Sequence, residues 1–320
     1  AMPLTPSQIA IVKSTAPIIK QHGTAITSTF YRNMLAAHPE LKNVFSLRNQ
    51  QSGAQQTALA NAVYAYAAYI DDLPKLKHAV ERIAHKHTSL FVKPEQYTIV
   101  GTHLVGAFAE VLGGALTPQI ADAWTAAYGQ LADVFIGREK QLYEEKGAWQ
   151  SWRKFKIARK ESETDHVASL YLEPSDGKPL PSFQAGQYVS VRLPLKELDG
   201  LTQCRQFSLS LAPEDNMTHY RISVKDEPVP EGQTVQDLAD GKTPGVVSNR
   251  LFDEYKVGDE VDLSPPAGEF FFDPATPPQQ PAVLISVGVG ATPLVSILDT
   301  ILASSPSRPV TWAHGARTPA

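Results

Sequence analysis

The chain has 320 residues, a formal net charge of −4 and a single cysteine. At roughly 150 residues per domain this length predicts two or three domains, each able to bury its own core, while the charge balance, with no long lysine or arginine run, argues against nucleic acid or an anionic membrane surface as the main partner and for a small molecule. Cys204 alone can form neither an internal disulfide nor a cysteine zinc site, so the composition points to a reducing compartment, the cytoplasm.

The N-terminus "AMPLTPSQIA" lacks the basic-then-apolar pattern of a secretory signal, and its Ala ahead of Met reads as a cloning remnant. Thr5-Pro6-Ser7-Gln8 forms a capping box with Pro6 at the first helical position, and Thr117-Pro118 repeats the Thr-Pro start. Apolar residues recur at helical spacing up to about residue 147, with the longest runs at 57–70 and 116–145, and no strand is needed there. Leu76, Val80 and Ile83 fall on one line along a helix, and His87 continues it, so His87 faces the core. His85 sits about 200° around that helix, in line with His78, Glu81 and Arg82, and reads as a solvated surface histidine. This helix alone leaves two readings of His87, a hydrogen-bonded core histidine or a metal ligand. Likewise Tyr31 reads as a core tyrosine seeking a partner, and Glu139 as a surface glutamate beside Arg138 and Lys140.

After "WQSWRKFK" (149–156) prolines and period-two alternation replace the Ala-rich helices. In 219–226, Tyr220, Ile222 and Val224 point one way while His219, Arg221, Ser223 and Lys225 point the other, which makes a half-buried strand. Similar runs at 153–159, 166–173, 187–193, 205–211 and 260–264, separated by turn residues, predict a small antiparallel barrel. The longest apolar stretch, 281–298, is cut by Gly288, Gly290 and Pro293, and so predicts a buried strand, a tight turn and a helix start instead of a transmembrane segment. With a helix at 293–303 and a strand at 309–314 this is half of a parallel α/β unit. The glycines of "GVGATP" (288–293) allow a pyridine nucleotide to approach the backbone, although Pro293 occupies the third glycine's place in the usual fingerprint.

The helical half resembles a globin, on "STFYRNML" (28–35), "HPELKNVF" (38–45), "SGAQQTAL" (52–59), "HKHTS" (85–89), "KPEQY" (93–97) and "VFIGREK" (134–140). The resemblance implies that His87 coordinates haem iron, with Phe45 packed on the haem and Lys86 among the haem-binding positions. It places Tyr31, Gln55 and Leu59 on the opposite, distal side, with Tyr31 hydrogen-bonding O₂. Tyr97 and Glu139 are implied to lie beside the proximal histidine, where a carboxylate accepting its second ring proton makes the imidazole a stronger donor.

The second half resembles flavin reductases of the ferredoxin-reductase type, on "GQYV" (186–189), "RQFSL" (205–209), "GVVSN" (245–249) and "PPAGEFF" (265–271). This implies an FAD site made by Tyr188, Arg205, Gln206, Phe207, Ser208, Val247 and Ser248. Arg205 offers a rigid fork to phosphate and Ser208 lies near the reactive ring nitrogen, while Phe207 replaces the tyrosine usual in the motif. Gly288, Val289, Gly290, Ala291, Thr292 and Pro293 are implied to take NAD(P)H. Over its whole length the chain is similar to flavohaemoglobins, although the 227–245 stretch is longer than the usual connection.

The resemblance implies a multidomain α and β fold: an all-α globin domain at 1–148, an antiparallel β-barrel FAD-binding domain of ferredoxin-reductase type at 149–275, and the start of an α/β NAD(P)-binding domain at 276–320. The remainder of that last domain, with its C-terminal aromatic, is expected beyond Ala320. The implied activity is that of a cytoplasmic, monomeric nitric oxide dioxygenase, with electrons passing from NAD(P)H through FAD to haem b iron, and O₂ and nitric oxide as substrates. Two rivals from other classes are an oxygen-binding or sensing globin with a regulatory flavin domain, and a flavin reductase with a haem-free helical cap.

Overall fold

The computed structural model describes residues 3–46, 49–50, 52–195, 200–227 and 245–316. The long 227–245 connection, apart from its two ends, lies outside the described residues. The chain divides into two compact units, one centred on Ala1–Gly147 and one that begins at Ala148.

The first unit is helical throughout, as its spacing predicts. α1 (Pro6–Ala37) starts at the expected capping box, where Thr5 Oγ1 accepts the Gln8 N–H at 3.2 Å and Gln8 Oε1 accepts the Thr5 N–H at 3.0 Å. It crosses α2 (Ala54–Ala68) closely: a Cβ added to Gly23 would stand 3.0 Å from Ala60 Cβ, and the Thr27 hydroxyl donates to the Gln56 carbonyl at 2.9 Å. α3 (Lys77–Ser89), α4 (Pro94–Leu112) and α5 (Pro118–Glu145, capped by Thr117) complete the unit. Its core gathers Ile19, Ile26, Phe30 and Met34 of α1 with Tyr66, Phe108 and Trp124, each such large side chain contributing about 1.5–3 kcal/mol on burial. The span Pro94–Ala115 is long and apolar enough to cross a membrane by length and composition. Here its Gly101, Leu104, Ala107 and Phe108 are buried in the helical core.

The second unit contains a six-stranded antiparallel sheet in the order β4-β3-β6-β1-β2-β5. Its strands are β1 (Arg153–Thr164), β2 (Val167–Pro174), β3 (Tyr188–Pro194), β4 (Thr202–Ser208), β5 (Tyr220–Lys225) and β6 (Glu260–Leu263). A bridge from Leu209, just past β4, to Ile222 of β5 joins the two ends of that order, which closes the sheet into the predicted barrel. Alternation along β5 follows the expected faces, with Tyr220, Ile222 and Val224 buried. β1 runs on to Thr164, beyond the predicted end, because its last residues pair with the start of β2 at Val167.

α6 (Val246–Asp253) follows as a short helix. β7 (Ala282–Val287) and β8 (Val310–Gly315) then pair in parallel, joined through α7 (Thr292–Ser304). Among the described residues β7 is covered on one face. Leu284 packs with Leu294, Ile297 and Ile301 of α7, whereas Val283, Ile285 and Val287 are 66%, 74% and 75% exposed. The unbroken apolar run resembles a strand covered on both faces. Among the described residues helix α7 covers one of them.

Candidate functional site

α3, α4 and α5 bring His87, Tyr97 and Glu139 together. His87 Nδ1 lies 2.8 Å from Glu139 Oε1 and 2.9 Å from Tyr97 Oη, and the Tyr97 hydroxyl donates to the same Glu139 oxygen at 2.5 Å. Glu139 is 3% exposed and Tyr97 is 9% exposed. Burial first, and then the Glu139 charge, push the Tyr97 phenol far above its ordinary range, so it stays protonated and donates. With the Tyr97 proton committed to Glu139, both oxygens facing Nδ1 are acceptors, so Nδ1 carries the N–H directed at them. All hydrogen bonds described for His87 fall on Nδ1, and the Nε2 lone pair is the one available to a metal.

Of the two readings of Glu139, the buried one beside His87 is the one seen, and its neighbours on α5 take the outer positions. Arg138 pairs with Glu81, and Lys140 lies 4.0 Å from Glu144 with both side chains mostly exposed. Tyr97 is held in turn by α5. Tyr128 Oη donates to the Tyr97 carbonyl at 2.6 Å, across a contact so close that a Cβ on Gly101 would meet Tyr128 Cε1 at 2.5 Å. Phe135 lines the cluster, its ring 5.9 Å from that of His87 and 6.4 Å from that of Tyr97.

His85 departs from its expected place on the open surface. Its side chain is 13% exposed against 32% for His87, and its Nε2 lies 3.8 Å from Glu81 Oε2. Arg138 reaches from α5 to that same carboxylate, which covers a face that the helical wheel of α3 alone leaves in water. Lys86 lies on the exposed side of α3.

Tyr31 is 5% exposed, with the ring of Phe30 at 4.7 Å and that of Phe45 at 5.4 Å, both edge-on. A hydrogen bond to Gln55 partly offsets the burial that raises its phenol well above the ordinary range. Phe45 and Leu59 pack half-buried against the same core. Tyr31, Gln55 and Leu59, the three residues expected on the distal side, thus lie in or against this core, with Phe45 beside Tyr31.

These residues fit a haem. Among the described residues no group of three or more His, Cys, Asp or Glu could hold a metal ion, and His87 offers the single imidazole that a haem would take from the protein. That imidazole is oriented by a buried carboxylate.

In the second unit Tyr188 opens β3, and its ring lies against Gly268 of "PPAGEFF". Gly268 has φ +122°, and a Cβ there would meet Tyr188 Cε1 at 3.0 Å. Gly186 of "GQYV" has φ +111°, with its would-be Cβ 2.8 Å from the Phe270 carbonyl oxygen, so the two motifs interlock through positions only glycine fills easily. Arg205 is half-buried, and neither its side chain nor that of Ser208 has a hydrogen bond or ion pair among the described residues. Gln206 is turned to Ser190, whose Oγ accepts its Nε2 at 3.0 Å. Phe207 is 8% exposed in the barrel core, so this aromatic packs among barrel side chains and presents little surface to a flavin.

Val247 and Ser248 lie buried in the first turn of α6. That helix is pinned at both ends. Asn249 exchanges hydrogen bonds with the Glu227 backbone at 2.9 and 2.7 Å, and Lys160 Nζ donates to the carbonyls of Leu251, Phe252 and Tyr255 at 3.0, 2.5 and 2.8 Å. A half-buried guanidinium, the Ser208 and Ser248 hydroxyls and a fixed helix N-terminus suit a pyrophosphate. Gly288–Ala291 form a 3-10 turn at the C-terminal end of β7, with Gly288 at φ +53° and no atom within 4 Å of a Cβ built on Gly288 or Gly290. Thr292 and Pro293 open α7, and the Thr292 hydroxyl bonds the Val289 carbonyl at 2.9 Å.

Sequence reasoning missed Tyr128, the Glu81–Arg138 pair, Lys160 and the role of Asn249. Only Asn249 carried a signal, since it lies inside "GVVSN" at a position able to bind backbone groups at a helix start.

Residues 28–135 match the globin family. The chain is 48% identical to the flavohemoprotein of Rhizobium meliloti (strain 1021) over 99% of this chain and 76% of that protein. It is 45% identical to the flavohemoprotein of Bacillus subtilis (strain 168) over 97% of this chain and 73% of that one. Among solved structures, the flavohemoglobin from Malassezia yamatoensis with bound FAD and heme is similar, with a TM-score of 0.84, 32% identity and coverage of 98% of this chain and 78% of that one.

Proposed function

The chain belongs to the flavohemoprotein family, and from this premise we propose that it is a nitric oxide dioxygenase, an NAD(P)H-dependent oxidoreductase that converts nitric oxide and O₂ to nitrate. The balance requires one electron per nitric oxide, so each NAD(P)H serves two turnovers. When bound, haem supplies the iron at which the two gases react, and FAD supplies the step from hydride to single electrons.

What this chain's own residues do follows from their placement. His87 binds the iron through Nε2. The buried Glu139 accepts the Nδ1 hydrogen bond and makes the imidazole more electron-rich, and Tyr97 keeps that carboxylate oriented by donating to the same oxygen. Tyr31, kept protonated by burial, offers a hydroxyl on the distal side, with Gln55 orienting it and Phe45 and Leu59 excluding water. Arg205, Ser248 and the first turn of α6 hold the FAD pyrophosphate, with Tyr188 and Ser208 toward its ring, and the 288–293 turn offers open backbone to NAD(P)H. The reading divides the chain into a haem domain at 1–148, an FAD barrel at 149–275 and a nucleotide-binding segment from 276. The protein acts as a monomer in the cytoplasm, a reducing compartment that suits its single cysteine, Cys204.

The observation that carries the proposal is the 2.8 Å contact between His87 Nδ1 and a Glu139 that is 3% exposed. A buried carboxylate is costly, and reversible oxygen carriage does not need it. Absorption spectra of the purified protein before and after NADH or NADPH test the reading. A Soret band that shifts on reduction is expected. Flavin absorption without a Soret band favours the haem-free reductase, and a Soret band that neither nucleotide changes favours the sensing globin.

A further inference from the structure

α3 and α5 meet through side chains outside the His87–Tyr97–Glu139 cluster. Upstream of His87, the Glu81 carboxylate accepts Arg138 Nε at 2.7 Å on one oxygen and Nη2 at 3.0 Å on the other. This two-point contact fixes orientation as well as distance. Arg138 is also held from its own helix, where Nη1 donates to Gln141 Oε1 at 3.2 Å and Glu145 Oε1 at 3.3 Å. Just past His87, Lys146 Nζ donates to the Thr88 hydroxyl at 2.9 Å, and Thr88 is fully buried with its own proton on the His85 carbonyl at 3.1 Å. His87 thus lies between two tethers that lead to the helix carrying Glu139. A helix advances about 1.5 Å per residue, and hydrogen bonds weaken steeply when stretched or tilted. A small slide of α3 along α5 would therefore degrade the 2.8 Å contact between His87 and Glu139.

We propose that Arg138 and Lys146 are positioning residues for the haem reaction: by tethering Glu81 and Thr88 they hold α3 in the register that keeps His87 Nδ1 on Glu139 Oε1, and so set how strongly the histidine donates to iron. The proposal rests on His87 being the haem ligand. Both tethers persist at neutral pH. The Arg138 guanidinium holds the Glu81 carboxyl below the usual carboxylate range, and Lys146, drawn down to about 8 by burial, donates through Nζ in either protonation state.

Resonance Raman spectra of the ferrous, haem-loaded protein read the iron–histidine stretching band, which follows the donor strength of the imidazole, and thermal unfolding of the same samples reads stability. Arg138→Leu and Lys146→Met are each expected to move the band down, toward its value in Glu139→Gln, and the swapped pair Glu81→Arg with Arg138→Glu to bring it back. Where a variant does not take up haem, Glu81→Gln or Arg138→Lys replaces it with the same expected direction and a smaller shift. Lowered stability with the band unmoved in both tether variants overturns the proposal and leaves them as structural contacts. The underlying reading fails separately, if His87→Ala keeps its Soret band and its iron–histidine band.

Discussion

The Tyr97 hydroxyl donates to Glu139 Oε1 across 2.5 Å, and the two side chains are 9% and 3% exposed. That one oxygen also faces His87 Nδ1, so a single buried carboxylate oxygen collects two donors. Desolvation makes a carboxylate expensive in such a place, and the two donors offset part of that cost. Glu139→Gln keeps the shape and removes the charge. Steady-state nitric oxide consumption is expected to fall on the order of 10–100-fold, the usual cost of losing such a partner to a metal-bound histidine, with the Soret absorbance retained. Unchanged turnover would show that the carboxylate has no part in the reaction.

His87→Ala is expected to abolish tight haem binding, whereas His85→Ala keeps the Soret band. Both histidines are partly covered, so burial does not separate them; their partners do. His85 lies near Glu81 on the far side of α3, and His87 has its Nδ1 on Glu139. Haem titration of the two purified variants checks this, and haem loss in the His85 variant would reverse the assignment.

Tyr31→Phe is expected to retain haem and release O₂ faster. The lost hydrogen bond to a partly charged ligand is worth about 1.5–3 kcal/mol, roughly a ten- to hundred-fold change in off-rate. Flash photolysis measures it, and an unaltered rate would take Tyr31 out of the distal role despite its contact with Gln55.

Arg205→Ala is expected to weaken FAD binding by roughly 10–100-fold, the loss of a charge-assisted contact of about 1.5–3 kcal/mol. The folded barrel has no described hydrogen bond to lose there, so its unfolding temperature should stay close to that of the parent. Flavin fluorescence titration decides it, since an unchanged affinity would mean that the guanidinium does not meet the pyrophosphate.

Fold and site were legible in the sequence wherever a local period carried the information. The capping box at Thr5 and the alternation of Tyr220, Ile222 and Val224 are properties of one helix or strand, and the helical phase of α3 puts His87 on the side that meets Tyr97 and Glu139. Glu139 was ambiguous from its own helix, because Arg138 and Lys140 flank it and only the packing of α3 and α4 onto α5 turns it into the interior. His85 was misplaced for the same reason: the cover over it comes from another helix, through Arg138 and Glu81. Phe207 shows the limit of motif transfer, since its position matches the flavin-binding run while its ring is spent on the barrel core.

The central claim is most directly tested by following nitric oxide with an electrode in air-equilibrated buffer containing the haem- and FAD-loaded protein, adding NADH or NADPH, and assaying nitrate. The account predicts rapid nitric oxide loss that needs both the nucleotide and O₂, with one nitrate formed per nitric oxide consumed. Nitric oxide loss no faster than in buffer with either nucleotide present, from protein whose haem is reduced and binds O₂, would contradict it.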